Sequence, residues 1–326
     1  MGSVRKRWDT SGNRYSYSRL LAIKLAKAPG QFWIDTGGQN LIGANMQHFN
    51  ALSAANWLVQ QHADKKIFSS LPKDMALSNA RQAGAVQDEF VRIKAQKCGD
   101  VIGWKIALAT PVMQNMVGLD APISGRRHRK QVVHAPAEVS TKGYGRLLIE
   151  FEIAIQIGST LLPSSTRHTS QSVAGAVSAV TCAFEVADDR QADYSKLAGK
   201  GLQLLADNAW NEGAVLGEWL PFSQVWPNLS AIPRADDVMG DLKGEAFIND
   251  KSVGFGYAHD LMGHPLNAIA WLANEANDRG TCLKAGDIAM LGSLVTSKFP
   301  NKGDHLRFEL QGFKPIHLYV NSVVTG

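Results

Sequence analysis

The chain has 326 residues, 45% of them hydrophobic and 19% charged, which excludes disorder over most of its length, because disordered chains lack the apolar side chains that a core needs. Its formal net charge of +5 is unevenly placed: residues 1–45 hold seven basic and two acidic side chains, and the rest of the chain holds 27 of each. A neutral body carries no electrostatic footprint for a polyanion, so no nucleic-acid partner is expected.

The first 45 residues are basic, with little hydrophobic periodicity, and are expected to form an extension that is ordered only in part. Arg-rich, acid-poor segments also serve as targeting peptides, and Met46 is an alternative start; both readings stand. From 46 to 99 the pattern is helical: Phe49, Leu52, Ala55 and Leu58 recur at three residues, and Ala83, Val86, Phe90 and Ile93 at three and four. Beyond Gly99-Asp100 come strand-like runs at 101–108, 147–157, 181–187, 214–220, 246–255, 288–291, 306–310 and 316–320, with Asn249-Asp250 as a hairpin turn. Pro111 opens a short helix, and 265–278 is a longer one with Leu266, Ile269, Leu272 and Ala273 on a stripe and Gly280 just past its end. Strands outnumber helices in the last two-thirds and do not alternate with them. The expected fold is therefore α+β, a helical N-terminal part (46–99) leading into a mixed β-roll (100–326).

Several function classes fall away. The longest nearly apolar stretch, 172–184, is shorter than the roughly 20 residues a bilayer requires, so no membrane partner is expected. Three scattered cysteines without a C-x-x-C pair suit a reducing compartment, and a cytoplasmic location is expected. Neither phosphate-loop motif occurs, which argues against nucleotide chemistry. The run Arg126-Arg127-His128-Arg129-Lys130 reads as a solvated loop.

The strand around Leu148 to Ile155 carries the clearest chemistry. Side chains alternate across a strand, so Glu150 and Glu152 share one face while Ile149, Phe151 and Ile153 form the other. Such a face is ordinarily solvated, but Glu185 sits inside a second apolar strand, Phe184-Glu185-Val186-Ala187. A buried glutamate is costly unless it is paired or bound to metal. Three carboxylates without a local surplus of basic residues call for a hard divalent cation. Lys105, between Trp104 and Ile106, is open to two readings: a stem lying on apolar surface with its head in water, or a cation used on a substrate carboxylate or in proton transfer.

The segments Gly103-Trp104-Lys105-Ile106, Gly118-Leu119-Asp120-Ala121-Pro122, the E-x-E strand, Phe184 through Arg190, Ala206-Asp207-Asn208-Ala209 and Ala285 through Leu294 occur in an order that resembles the 2-keto-4-pentenoate hydratase and 4-oxalocrotonate decarboxylase group of the fumarylacetoacetate hydrolase superfamily. The resemblance spans roughly 46–320. It implies a fumarylacetoacetase-like roll, a Mg²⁺ or Mn²⁺ ion on Glu150, Glu152 and Glu185, and Lys105 as the active-site lysine. It also implies a substrate-carboxylate loop at Gly292-Ser293-Leu294, a small 2-oxo acid substrate of aromatic catabolism, and assembly into a homo-oligomer. The metal would act as a Lewis acid toward an enolate formed from the 2-oxo acid.

Three departures bear on substrate. Ile123 stands where the family commonly carries a second acid after Asp120, Trp210 stands where a serine is usual, and Ala107 replaces a glycine. A hydratase is the leading expectation. A 4-oxalocrotonate-type decarboxylase, an acylpyruvate hydrolase and a non-catalytic member of the family remain open.

Overall fold

Helix α1 (Ala51–Ala63) starts where the Asn50 side-chain oxygen accepts the Ser53 N–H, and α2 (Ala80–Cys98) where Asn79 accepts that of Gln82. Each cap satisfies one of the backbone donors that a helix start leaves open. The computed structural model describes residues 49–226 and 239–321, so the basic segment 1–45 and Met46 lie outside the described residues. Shorter helices follow at α3 (Pro111–Val117), α4 (Ser170–Ala174), α5 (Gly201–Ala206) and α6 (Phe222–Val225), and α7 (Pro265–Asp278) matches the expected late helix. No helix among the described residues is long and apolar enough to cross a membrane.

The strands are β1 (Val101–Ala107), β2 (Ile123–His128), β3 (Val132–His134), β4 (Ala137–Ser140), β5 (Leu147–Ile157), β6 (Val177–Asp188), β7 (Asn211–Leu216), β8 (Leu220–Pro221), β9 (Lys243–Ile248), β10 (Lys251–Tyr257), β11 (Ile288–Ser293), β12 (His305–Leu310) and β13 (Ile316–Asn321). They form two sheets. One runs β2-β1-β11-β5-β6-β7-β3 with β8 attached to β6; the other runs β10-β9-β12-β13-β4. The expected strand at 214–220 is divided between β7 and β8. The Asn249-Asp250 turn joins β9 to β10 with both residues at positive φ, 50° and 61°, as a two-residue hairpin requires.

The first sheet is curled. The Arg127 guanidinium of β2 donates to the Gly213 carbonyl of β7 at 2.5 Å, and the Asn211 amide of β7 donates to the Arg126 carbonyl at 2.8 Å. Strands from opposite ends of the order thus meet, which makes the sheet the expected roll. Its convex face carries Trp104, Ile106, Ile149, Phe151, Ile153 and Phe184, packed with Leu266, Ile269 and Leu272 of α7 and with Leu306, Phe308 and Leu318 of the second sheet. Phe151 meets Phe184 and Phe308 edge-on at 5.5 and 5.7 Å, the geometry that aromatic quadrupoles favour. The concave face is left for Lys105, Glu150, Glu152 and Glu185. A second core joins Ala54, Ala55 and Leu58 of α1 and Val86 and Phe90 of α2 to Leu204, Leu205, Ile123 and Trp210, which seats the helical part over one end of the roll.

The basic run is the expected solvated loop only at Arg129 and Lys130, which are exposed. Arg126, Arg127 and His128 belong to β2 and are 8%, 0% and 0% exposed. Their burial depends on partners far along the chain: Trp104 under the Arg126 guanidinium, Glu185 beside Arg127, and the Val91 carbonyl on His128.

Candidate active site

Strand pairing brings the three expected carboxylates together. In the β5–β6 register Glu150 lies opposite Glu185 and Glu152 opposite Ala183, so all three side chains leave the same face. One oxygen from each lies within 4.8 Å of the others. Glu152 and Glu185 are fully buried. Burial first, and then the neighbouring charges of Glu185 and Glu150, holds the Glu152 carboxyl well above the usual carboxylate range. Glu150 is also raised, by burial and by Glu185, against the opposing pull of Lys105.

Two groups orient this cluster. The Gly292 N–H donates to Glu152 Oε2 at 2.9 Å, from a backbone at φ 107° that a residue with a side chain would adopt only under strain. The Ser297 hydroxyl donates to Glu150 Oε1 at 2.6 Å. Glu152 Oε1 is buried with no hydrogen-bond partner. An orphaned carboxylate oxygen in an all-oxygen donor set fits a hard cation such as Mg²⁺ or Mn²⁺.

Lys105 faces this cluster rather than water, with 2% exposure. Its Nζ lies 2.7 Å from Glu185 Oε1 and donates to the Ala209 carbonyl at 3.2 Å. Burial works against the ammonium, but the charges of Glu185, Glu150 and Glu152 outweigh it and raise its pKa above the ordinary lysine value. Opposite Lys105 on β2 is Gly125, where a Cβ would come within 2.9 Å of the Lys105 stem and 3.0 Å of the Asn208 carbonyl oxygen. Arg127, two residues on and on the same strand face, places its guanidinium 3.5 Å from Glu185 Oε2. Ile123 shares that face and is 5% exposed.

The turn that receives Lys105 is strained and held. Asn208, Ala209 and Trp210 have φ of 51°, 50° and 59°, a left-handed region that non-glycine residues enter at a cost. Asn208 accepts the Arg126 N–H at 2.6 Å and donates to the Arg126 carbonyl at 2.9 Å. The preceding Asp207, fully buried, is bound by Arg190 and by His62 Nε2. The other imidazole nitrogen of His62, Nδ1, lies 3.0 Å from Glu212, which also receives Lys94 Nζ at 2.7 Å. Burial disfavours a charged His62, but Asp207 and Glu212 outweigh it and raise its pKa. An imidazolium bridging two carboxylates thus ties α1 to the turn at Lys105.

Of the expected loop at Gly292-Ser293-Leu294, the structure brings only the Gly292 backbone to the cluster. The Ser293 hydroxyl accepts the Phe151 N–H at 2.9 Å and donates to the Val295 carbonyl at 2.6 Å, while the Leu294 side chain is buried in the main core. Neither side chain is free for a substrate carboxylate.

Arg127, Ser297 and His62 escaped the sequence reading. For Arg127 the local sequence points the other way: Ser124-Gly125 just before the basic run is a turn-like dipeptide, which favours a loop over the strand the structure shows. Ser297 and His62 carry no comparable mark, since their partners Glu150 and Asp207 lie about 150 residues away.

The model of the fumarylacetoacetate (FAA) hydrolase C-terminal family matches residues 108–321. The 2-keto-4-pentenoate hydratase of Burkholderia vietnamiensis (strain G4 / LMG 22486) is 30% identical over 243 residues, 74% of this chain and 86% of its own length. The 2-keto-4-pentenoate hydratase 1 of Dechloromonas aromatica (strain RCB) is 28% identical over 82% of this chain and 96% of its own. In fold, the chain resembles the 4-oxalocrotonate decarboxylase from Pseudomonas putida G7 solved with magnesium and adipate, with a TM-score of 0.73 at 22% identity over 83% of this chain and 97% of that one. The matched span contains Glu150, Glu152, Glu185 and the Gly292 turn, and with that coverage the chain belongs to the fumarylacetoacetate hydrolase family.

Proposed function

We propose that the chain is a divalent-metal-dependent lyase of small 2-oxo acids, acting as a hydro-lyase in the manner of the 2-keto-4-pentenoate hydratases it is similar to. The observation that carries this reading is the convergence of Glu150, Glu152 and Glu185 inside the roll, with Glu152 Oε1 left without a partner. These three residues would hold Mg²⁺ or Mn²⁺, which when bound supplies a Lewis acid for the carboxylate and keto oxygens of the substrate.

The chain's own residues do the rest. Gly292 N–H and Ser297 Oγ fix the carboxylates of Glu152 and Glu150, so that the donor oxygens are set before a ligand arrives. Lys105 Nζ lies beside Glu185, close enough to the cluster to neutralise a bound carboxylate as a cation or to hand a proton to a substrate carbon. Arg127 limits the movement of Glu185 from its far side. Gly292 acts through its N–H, and Ser293 and Leu294 support the turn without touching substrate. The buried Ile123 supplies neither proton nor water position, and this favours decarboxylation as the second reading, since CO₂ loss needs no positioned water.

The reading includes a small-molecule substrate, a cytoplasmic setting in keeping with three free cysteines, and assembly of several copies. Steady-state assay of 2-oxopent-4-enoate consumption, with and without chelator, tests it. Turnover that Mg²⁺ or Mn²⁺ restores after chelation supports the proposal, and metal-independent turnover contradicts it.

A further inference from the structure

Arg127 carries a charge that closing the roll does not need. Its Nη1 donates to the Gly213 carbonyl at 2.5 Å, a bond that a neutral donor could also supply. The other edge of the guanidinium, Nε and Nη2, is buried without a hydrogen-bond partner in a fully enclosed residue. Room for so long a side chain comes from glycine: Gly103 lies opposite it on β1, and Gly125 precedes it by two residues on the same face of β2. Two N–H groups left open inside a protein are costly. What stands before them explains their presence.

Nε and Nη2 form the parallel fork with which an arginine grips a carboxylate. Nη2 lies 3.5 Å from Glu185 Oε2, an oxygen that also lacks a hydrogen-bond partner, whereas a charge-assisted bond closes at about 2.7–2.9 Å. The pair stops just short of contact. Glu185 is meanwhile engaged at its other oxygen by Lys105 Nζ, at 2.7 Å. Lys105 cannot hold Glu185 and serve a substrate at once, so a second cation must compensate Glu185 when the lysine turns away. Arg127 is fixed in the place where that cation is needed.

Resting on the metal-site reading above, we propose that Arg127 is the standing counter-ion of the carboxylate cluster. It is a positioning residue that takes over Glu185 when Lys105 turns to a bound acid, and its charge opposes a cation entering the site and attracts the anion that follows. Removing that charge should therefore move metal and anion affinities in opposite directions. A residue that only braced β2 against β7 would behave differently, because its loss would loosen the donor set and weaken both.

Calorimetry separates the two roles without relying on turnover. Mg²⁺ is titrated into wild type, Arg127→Gln and Arg127→Lys, and oxalate into each protein saturated with Mg²⁺. In Arg127→Gln, which removes the charge and keeps an N–H donor, Mg²⁺ alone is expected to bind about tenfold tighter and oxalate about tenfold weaker, the scale of one charge acting across a protein interior. Arg127→Lys keeps the charge and should show wild-type affinity for both. Any other pattern in Arg127→Gln, both affinities falling or neither moving included, overturns the role of Arg127 and leaves the metal site standing. Should Arg127→Gln fail to fold, Arg127→Lys decides: wild-type affinities support the charge, while a joint loss, or failure of this variant to fold as well, leaves Arg127 a structural role alone. Wild type that binds neither Mg²⁺ nor oxalate overturns the metal-site reading itself.

Discussion

Lys105 Nζ and Glu185 Oε1 lie 2.7 Å apart, although their strands, β1 and β6, are separated in the sheet by β11 and β5. In a flat sheet three strand spacings would set the two backbones about 14 Å apart, at roughly 4.8 Å per strand. Curling the sheet closes that gap, so this ion pair exists only in the finished roll. Both partners are buried, and removing Lys105 leaves Arg127, 3.5 Å from Glu185, to face three clustered carboxylates.

Lys105→Met should therefore act at two levels. Activity on any 2-oxo acid is expected to fall by roughly 10²-fold or more, as for loss of a positioned acid or base. The metal-free protein should also be destabilised by about 3 kcal/mol or more, the cost of stranding a buried charge, and Mg²⁺ should recover much of that loss. Thermal melts with and without Mg²⁺, run beside kinetics, check both. A variant with unaltered melting temperature and activity would place Lys105 outside the site.

The carboxylates were legible because strand alternation is simple: once β5 is recognised, Glu150 and Glu152 must share a face, and Glu185 in an apolar strand needs a reason to be there. Arg127 was not legible, because its burial depends on β2 meeting β7 across the closed roll. The strained turn was equally hidden, since Asn208, Ala209 and Trp210 carry no glycine to announce left-handed backbone. Ser293 differs in another way: its hydroxyl, in the expected loop, is engaged with the Phe151 and Val295 backbone.

The His62, Asp207 and Glu212 network gives stability a pH dependence. Glu212 is lowered to about 2; burial opposes this shift, but Lys94 and His62 outweigh it. Its contribution is present above the unfolded value near 4.5 and is lost as pH falls toward about 2, a difference of order 3 kcal/mol at about 1.4 kcal/mol per unit. His62 is shifted the other way, so its contribution is complete below about pH 6.5 and declines as pH rises through its raised folded value. Urea midpoints measured from pH 2 to 9 should fall at both ends. In Glu212→Gln the acid limb should flatten, and persistence of the full acid limb would assign it to other groups.

Gly103 tests the closeness of β1 and β11. A Cβ there would collide with the Ile288 carbonyl oxygen of the paired strand, whereas one at Gly143 meets nothing within 4 Å. Gly103→Ala is expected to cost about 2 kcal/mol or more by forcing the strands apart, and Gly143→Ala to be nearly neutral. Chemical denaturation of the two variants side by side provides the comparison.

Ile123 and Trp210 should set the preference among substrates. Wild type is expected to turn over 2-oxopent-4-enoate slowly, and the Ile123→Asp, Trp210→Ser double variant faster, because an acid and a small hydroxyl restore a place for water and a proton. Initial rates on both proteins decide it. Full hydratase turnover in the wild type would show that no second acid is needed here.

The metal centre is the central claim, and calorimetric titration of Mg²⁺ into the wild type and Glu152→Gln tests it most directly. The substitution keeps the side-chain shape and removes one charge from the buried triad. One Mg²⁺ per chain is expected in the wild type and at least tenfold weaker binding in the variant, the lower end of what disturbing a metal's surroundings costs. Equal Mg²⁺ affinity in the two proteins would contradict the assignment of Glu150, Glu152 and Glu185 as its ligands.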